Sequence, residues 1–191
     1  MLTRLQKTEK ITWMPVVNPV LTRDYLSDEL LPWSNEEELF VLRRQDINFE
    51  ATIPEFGKLK SSGMFFLTNQ RLVYVTESPG SRADFKSLEI LLSEIAGVPK
   101  FEQPIFGANY LDIKTNSGAR AYFTFYSGGA GTFLPVFYSL LGASEAKETT
   151  FTSPILRAVA EGRAGNLAFV DPNDPSVFYV TQPRAAIPPA E

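Results

Sequence analysis

The hydrophobic residues of this chain change their spacing at Gly128-Gly129, and this change constrains the fold more than any other feature. Before it, apolar and polar residues alternate in short runs, as in β-strands with one buried face. After it, apolar residues recur three and four positions apart, as on one face of a helix. The pattern therefore predicts many short strands followed by an amphipathic helix. The helical set is Phe133, Val136, Phe137, Leu140 and Leu141.

We expect this helix to begin near Thr132 and to end at Gly142. Pro135 belongs in the first turn, because a proline deeper in a helix removes a backbone hydrogen bond and clashes with the preceding turn. Gly142 suits the left-handed conformation that often follows a helix. The apolar stripe of the helix would close one side of a strongly bent sheet.

The stretch SSGMFFLTNQRLVYV, residues 61–75, predicts the central hairpin of that sheet. Apolar runs at residues 64–67 and 72–75 flank a short polar turn, in which Asn69 tolerates a left-handed backbone. Short antiparallel strands followed by one helix outline a pleckstrin-homology-like barrel, and a plain two-layer α+β domain is the alternative. Further strands are predicted at residues 39–42, 47–53, within 85–98, at 111–114 and at 119–126.

The predicted domain covers about residues 36–142. Residues 1–35 form a proline-punctuated lead-in, whose Trp13 and Trp33 either pack against the domain or bind a partner. Residues 143–191 are expected to be a largely extended tail with a short helix near residues 154–161, where a proline opens the pattern and a glycine ends it.

Composition excludes several classes of chemistry. The chain contains no histidine and no cysteine, so imidazole bases, histidine-activated nucleophiles and thiolate metal sites are ruled out. The net charge is −4 and no basic run is present, which argues against sequence-specific binding of nucleic acid. We interpret the acidic run at residues 36–38 as a solvated face and expect a non-enzymatic protein without a cofactor. No apolar run approaches the roughly 18 residues of a membrane span, so cytoplasm or nucleus is expected.

Basic residues between Glu55 and Lys86 are candidates for binding anionic lipid. Each cation near an anionic leaflet contributes on the order of 1 kcal/mol, so weak membrane binding is predicted unless a pocket gathers them. A solvated charged face is the alternative. For the arginine at the hairpin corner, the alternative is a bond to a carboxylate or to backbone carbonyls that fixes the turn. The set is Lys58, Lys60, Arg71, Arg82 and Lys86.

Aromatic residues are the candidates for binding a partner protein. Phe106 and Tyr110 flank Gly107, which is expected to supply an unusual backbone angle. Buried architecture and partner binding are the two interpretations of this loop. A second aromatic pair in the tail either docks on the domain or binds another protein. That pair and its flanking prolines are Phe178, Tyr179, Pro175 and Pro183.

Two stretches resemble a known family. Residues 63–75, GMFFLTNQRLVYV, resemble the core motif of GRAM domains, which have the pleckstrin-homology fold. Residues 103–110, QPIFGANY, are similar to the QPVFGANY segment of the WW-domain-binding protein 2 family. Phe123, Phe125 and the following GGA at residues 128–130 continue the similarity, which spans roughly residues 38–141. Residues 172–179 and 182–183 resemble part of the family's tail more weakly.

The resemblance implies a GRAM-type adaptor, a non-enzymatic partner of WW-domain proteins or transcription factors that acts as a transcriptional coactivator in cytoplasm and nucleus, where it associates with chromatin. GRAM domains are also associated with phosphoinositides, so a peripheral membrane module is the alternative function. The family's Pro-Pro-x-Tyr motif, which binds WW domains, is absent, because Pro188-Pro189 is followed by Ala190 and Glu191. Direct WW-domain binding is therefore not carried over to this chain.

Overall fold

The fold is mostly β, with one long α-helix near the end of the domain. A computed structural model describes residues 15–23, 30–54, 56–78, 84–125, 130–149, 151–152, 156–157, 169–171 and 174–179. Its elements are β1 (Val16–Val17), β2 (Leu21–Arg23), β3 (Leu30–Pro32), β4 (Phe40–Ile53), β5 (Gly57–Thr68), β6 (Arg71–Ser78), β7 (Ser87–Leu91), a 3₁₀ helix (Leu92–Glu94), β8 (Lys100–Glu102), β9 (Asn109–Lys114), β10 (Arg120–Phe125), α1 (Ala130–Glu145), β11 (Phe169–Asp171) and β12 (Asp174–Tyr179).

The main sheet is antiparallel and bent, with the strand order β1-β7-β6-β5-β4-β10-β9-β8. Strands β4 to β7 follow one another as a meander, and so do β8 to β10. The two meanders join where β10 pairs with β4, with Phe123 opposite Phe49. The tail hairpin β11–β12 adds to β4 through β12.

The predicted hairpins at residues 64–75 and 111–126 are confirmed. Asn69 does not have the positive φ that we expected. Among the described residues other than glycine, those with a positive φ are Asn18, Glu37 and Lys147. The side chain of Asn69 instead accepts a hydrogen bond from the backbone N–H of Leu39 at 2.7 Å. The turn is therefore held by a side-chain bond to the residue just before β4.

The two strands predicted at residues 39–42 and 47–53 are one 14-residue strand, β4. Of the polar residues between them, Arg43 and Arg44 pair with Phe66 and Phe65 of β5, and the register then shifts between Arg44 and Ile47, which is the local irregularity of a bulge. Arg44 is fully buried, and its guanidinium lies 5.2 Å from the centre of the Phe125 ring. A cation over an aromatic face is a favourable arrangement that helps a charged residue continue a buried strand.

The main core lies between the inner face of the sheet and α1. Phe49 stacks on Tyr74 with ring centres 4.5 Å apart, and Phe65 contacts Phe133 of the helix at 4.9 Å. The predicted helical stripe is confirmed, because Phe133, Phe137 and Leu140 are completely buried. Val136 and Leu141 are half-buried and pack against the same core.

The predicted helix bounds are wrong at both ends. Pro135 lies in the second turn of α1, because the helix begins at Ala130. Gly142 is inside the helix, which continues to Glu145 because Ala143 adds a further buried residue to the stripe. The left-handed residue is Lys147, with φ 53°. The backbone N–H of Glu148 donates to the carbonyl of Ala143 at 2.8 Å, which completes a Schellman motif.

The described part of the lead-in packs on the domain. Strand β1 extends the sheet by pairing with β7, and β2 and β3 pair with each other. Leu31 joins a second cluster on the outer face of β5 and β6, together with Phe40, Met64, Phe66, Val73 and Val75. Among the described residues, none of the helices has the length and apolar character of a membrane span.

Candidate functional site

Arg71 occupies the corner of the central hairpin and is buried. Its Nε donates to Glu38 Oε2 at 2.7 Å, and its Nη1 donates to Glu89 Oε1 at 3.0 Å. Its Nη2 also donates to the backbone carbonyl of Trp33 in the lead-in. Burial alone would lower the pKa of Arg71, but the bonds and the charges of Glu38 and Glu89 raise it above its ordinary value. The alternative interpretation of Arg71, that it fixes the turn, is confirmed.

Glu38 and Glu89 are the residues of this network that sequence reasoning missed. The acidic run was interpreted as a solvated face, but Glu38 is buried while Glu36 and Glu37 are exposed. Its Oε2 also accepts a hydrogen bond from Thr68 at 2.9 Å. The signal available in the sequence was the presence of both Arg71 and Thr68 in the turn, which need a buried acceptor.

The other predicted lipid-binding residues do not meet in one pocket. Lys58 and Lys60 are exposed on β5, and Lys86 is exposed just before β7, so strand β6 separates them. Arg82 lies outside the described residues. Arg71 is buried beneath the lead-in and already carries its carboxylate partners.

Arg120 and Asp112 form an ion pair on the outer face of β10 and β9. Arg120 Nη2 lies 2.7 Å from Asp112 Oδ2, and its Nε donates to Oδ1 at 3.1 Å. The hydrogen bond to Asp112 raises the pKa of Arg120. The guanidinium also lies 5.1 Å from the centre of the Tyr122 ring, and that ring meets Tyr110 edge-on at 5.7 Å. Tyr110 is therefore half-buried, in a cluster with Tyr122 and Arg120 on the outer face of the sheet.

The loop between β8 and β9 projects two apolar side chains into solvent. Ile105 is 94% exposed and Phe106 is 91% exposed. Gly107 has φ 107°, a conformation that L-residues with side chains rarely adopt, so its expected unusual angle is confirmed. The interpretation of the loop from Phe106 to Tyr110 as buried architecture is wrong for Phe106, whose side chain lies in solvent, while Tyr110 is half-buried.

The tail aromatic pair lies on strand β12. This strand contains Pro175, Phe178 and Tyr179, and the backbone of Phe178 pairs with that of Arg43 in β4. Pro183 lies outside the described residues. The backbone of this part of the tail therefore docks on the protein's own sheet, which is one of the two predicted outcomes. Of the short helix predicted near residues 154–161, only 156 and 157 are described, and both are helical.

Glu94 is a buried carboxyl group that the sequence analysis did not single out. It is 4% exposed, and neither of its carboxylate oxygens has a hydrogen-bond partner among the described residues. Burial raises the pKa of Glu94 to about 7, and the nearby charge of Glu89 adds to this effect. The group is therefore partly protonated near neutral pH.

A cavity of about 460 Å³ opens beside the hairpin turn, between the end of the lead-in and the segment after α1. The amides of Asn69 and Gln70 in its wall already bond to the backbone carbonyls of Glu37 and Glu36. Their role is thus to hold the turn against the acidic run just before β4. The lining residues are Glu37, Glu38, Leu39, Asn69, Gln70, Glu148, Thr149, Phe151 and Leu156.

Comparisons with known proteins add little to this geometry. Neither a protein-family model nor a curated protein matches the sequence. A solved structure, the C-terminal domain of an unknown protein from Leishmania infantum, aligns with 51% of this chain and 84% of its own at 13% identity and a TM-score of 0.35. A similarity at that level supports no inference. Within the described residues, no group of three or more acidic residues could hold a metal ion.

Proposed function

We propose that this protein is a non-enzymatic adaptor built on a GRAM-type, pleckstrin-homology-like domain, and that it recruits other proteins as a transcriptional coactivator in cytoplasm and nucleus. The bent antiparallel sheet followed by one helix supports this fold. The helix seals the sheet with Phe133, Phe137 and Leu140, as expected of the last element of such a domain.

The exposed pair Ile105 and Phe106 is the observation on which the proposal rests. Both side chains are more than nine-tenths exposed on a loop between two strands of the main sheet. Apolar residues held in solvent on a rigid scaffold are typical of a surface that becomes buried in a complex. An aromatic anchor of this kind contributes strongly to binding when a partner encloses it.

Affinity capture from cytoplasmic and nuclear extracts tests this proposal. We expect full-length protein to retain a set of proteins that the Ile105→Ser/Phe106→Ser variant loses. The matched control is Val98→Ser, which removes another exposed apolar side chain, 77% exposed, outside the loop. Capture of the same proteins by both variants and the wild type would show that the loop is not the docking element.

Phosphoinositide binding is the alternative function, and the scattered positions of its predicted residues favour it less. Lys58 and Lys60 share a face, whereas Arg71 is buried and Lys86 lies beyond β6. Co-sedimentation with phosphoinositide-containing vesicles at low salt discriminates the two functions. Binding that is lost in Lys58→Glu/Lys60→Glu would favour the lipid function, and no binding would remove it.

A further inference from the structure

We propose that the outer face of strands β5, β4, β10, β9 and β8 is a second binding surface, and that its ligand is an acidic protein segment. This surface lies on the strands themselves and does not include Ile105 or Phe106. An adaptor needs two contacts to join two partners, and this face offers the second. The inference does not depend on the function of the loop.

The strand register places three cations in one row. Lys58 is opposite Thr52, Thr52 is opposite Arg120, and Arg120 is opposite Lys114. Directly opposed residues in antiparallel strands point to the same face, and neighbouring strands lie about 4.8 Å apart. All four of these side chains are exposed. The row therefore runs across the strands over roughly 14 Å.

A parallel row two residues further along the strands adds two more cations. Lys60 is opposite Glu50, and Lys100 is opposite Asp112, while Tyr122 lies between these pairs on β10. Lys60 and Lys100 are exposed. Residues two apart in a strand share a face, so both rows lie on the same side of the sheet.

The two acidic residues of these rows already have partners. Asp112 is buried and holds Arg120 by two hydrogen bonds, which leaves Nη1 of the guanidinium outside the pair. Glu50 lies 3.9 Å from Lys60. Asp112 thus fixes Arg120 in the middle of its row. Glu102 on β8 lies opposite Tyr110 and adds a third acidic residue to this face, against five basic residues, so the surface still presents an excess of positive charge. Its charge is complementary to that of an acidic segment.

The shape of the surface favours a polypeptide over a lipid bilayer. Adjacent strands rotate by roughly 20–25°, so the direction of the face changes by about 90° between β5 and β8. A flat membrane contacts only part of such a face, whereas an extended chain follows the row. Carboxylates on alternate residues of an extended segment recur about every 6.6 Å. This lies between the spacing of about 4.8 Å from Arg120 to Lys114 and that of about 9.6 Å from Lys58 to Arg120 along the row, so long, flexible side chains can bridge the difference.

The aromatic residues of the surface favour a polypeptide over single-stranded nucleic acid. Bases bind by stacking on exposed ring faces. Here the Tyr122 ring lies beside the Arg120 guanidinium and meets Tyr110 edge-on, and both tyrosines are half-buried. The rings therefore support the cation row and do not form a stacking platform.

Fluorescence anisotropy with full-length protein and a labelled peptide of about six Glu-Ser repeats tests the proposal. We expect the peptide to bind at low salt, and Lys58→Gln/Lys114→Gln to weaken binding about tenfold. Lys147→Gln, the matched control, removes one exposed cation after α1 and should leave binding within about twofold. Ile105→Ser/Phe106→Ser should bind the peptide like the wild type, which separates this test from that of the adaptor loop.

Three results would overturn the proposal. The first is no binding of the peptide at low salt. The second is an equal loss of affinity in Lys147→Gln and in the double variant, which would indicate a non-specific charge effect. The third is that oligothymidylate or phosphatidylserine vesicles bind more tightly than the peptide and that this binding is lost in Lys58→Gln/Lys114→Gln. Such a result would assign the face to nucleic acid or to membrane.

Discussion

At the scale of single residues, burial decides which charges of this chain are structural. Arg71 loses contact with water on folding and regains bonds to Glu38, Glu89 and the carbonyl of Trp33. Glu38 lies 33 residues away in the sequence, and no local pattern joins them. The sequence analysis gave a carboxylate or carbonyl partner as the alternative interpretation of Arg71 but did not identify that partner. Only the folded sheet, in which β5 lies between β4 and β6, brings Glu38 to Arg71.

Replacement of Arg71 tests this ion pair. In Arg71→Met, Glu38 keeps a buried carboxylate without its cation, so we expect the free energy of unfolding to fall by about 3–5 kcal/mol. Lys60→Met removes the exposed pair with Glu50 and should cost less than about 1 kcal/mol. Urea unfolding monitored by tryptophan fluorescence measures both. Equal losses in the two variants would contradict the structural role of Arg71.

Glu94 predicts a dependence of stability on pH. Its pKa is raised from 4.5 to about 7, so the folded protein keeps a proton that the unfolded chain releases. The contribution of Glu94 to stability therefore falls as the pH rises between these values and is constant above them. Glu94→Gln should unfold at a higher temperature than the wild type near pH 8 and at about the same temperature near pH 4.

Thermal unfolding across this pH range, followed by circular dichroism, measures the effect. Glu102→Gln, an exposed acid on β8, serves as the control and should behave like the wild type at each pH. A constant difference between Glu94→Gln and the wild type at all pH values would show that the carboxyl group of Glu94 does not titrate as expected.

At the scale of elements, alternation and helical spacing predicted the helix and six of the twelve described strands, namely β4, β5, β6, β7, β9 and β10. The short strands β1, β2, β3, β8, β11 and β12 were not predicted. The failures occurred where a tertiary contact extends an element. Residues 43–46 looked like a break but continue β4 because Arg44 is buried against Phe125. Gly142 looked like a helix end, but Ala143 packs into the core and carries α1 further. Phe106 was misjudged because apolar composition alone does not tell a buried loop from an exposed one.

Two glycines of these elements predict opposite responses to alanine. A Cβ at Gly63 in β5 would lie 2.1 Å from the carbonyl oxygen of Val75, so the neighbouring strand must move. A Cβ at Gly142 in α1 meets no atom within 4 Å. We expect Gly63→Ala to lower the free energy of unfolding by more than about 2 kcal/mol. Gly142→Ala should raise it by about 0.5–1 kcal/mol.

Chemical denaturation of both variants checks this pair. The close approach at Gly63 coincides with the register shift between Ser62 and Gly63, where β5 and β6 are irregular. A stable Gly63→Ala variant would mean that this irregularity can absorb the added methyl group. Destabilisation of Gly142→Ala would mean that the glycine has a role in α1 beyond its helical backbone.

At the scale of the whole molecule, the outer face of the sheet is divided between two uses. The lead-in covers β5 and β6 through Leu31 and the second cluster. The part of β5 before Gly63 and the strands on its other side carry exposed cations on this face, including Lys58 and Lys114. Sequence analysis separated residues 1–35 from the domain on the basis of their prolines, but Leu31 and Val17 contact the sheet as part of its packing.

Leu31→Ala tests how far the lead-in is independent. Leu31 is 7% exposed in a small cluster, and its truncation should cost about 2 kcal/mol or more. We expect faster amide hydrogen exchange in β1, β2 and β3, with unchanged exchange in β9 and β10, because the main core is intact. Uniformly faster exchange across all strands would instead show that the lead-in and the sheet unfold as one unit.

Along β5, the outward side chains change from Lys58 and Lys60 to Met64 and Phe66, and the change falls at Gly63. If the lead-in were cleaved or displaced, the apolar outer side chains of β5 and β6 would become exposed to solvent directly beside the exposed lysines of β5. The truncated protein would then expose an apolar surface that the lead-in covers in the intact protein. It would self-associate through this surface, and the salt concentration would control how strongly. The described part of residues 1–35 thus shields the apolar outer face of β5 and β6 from solvent.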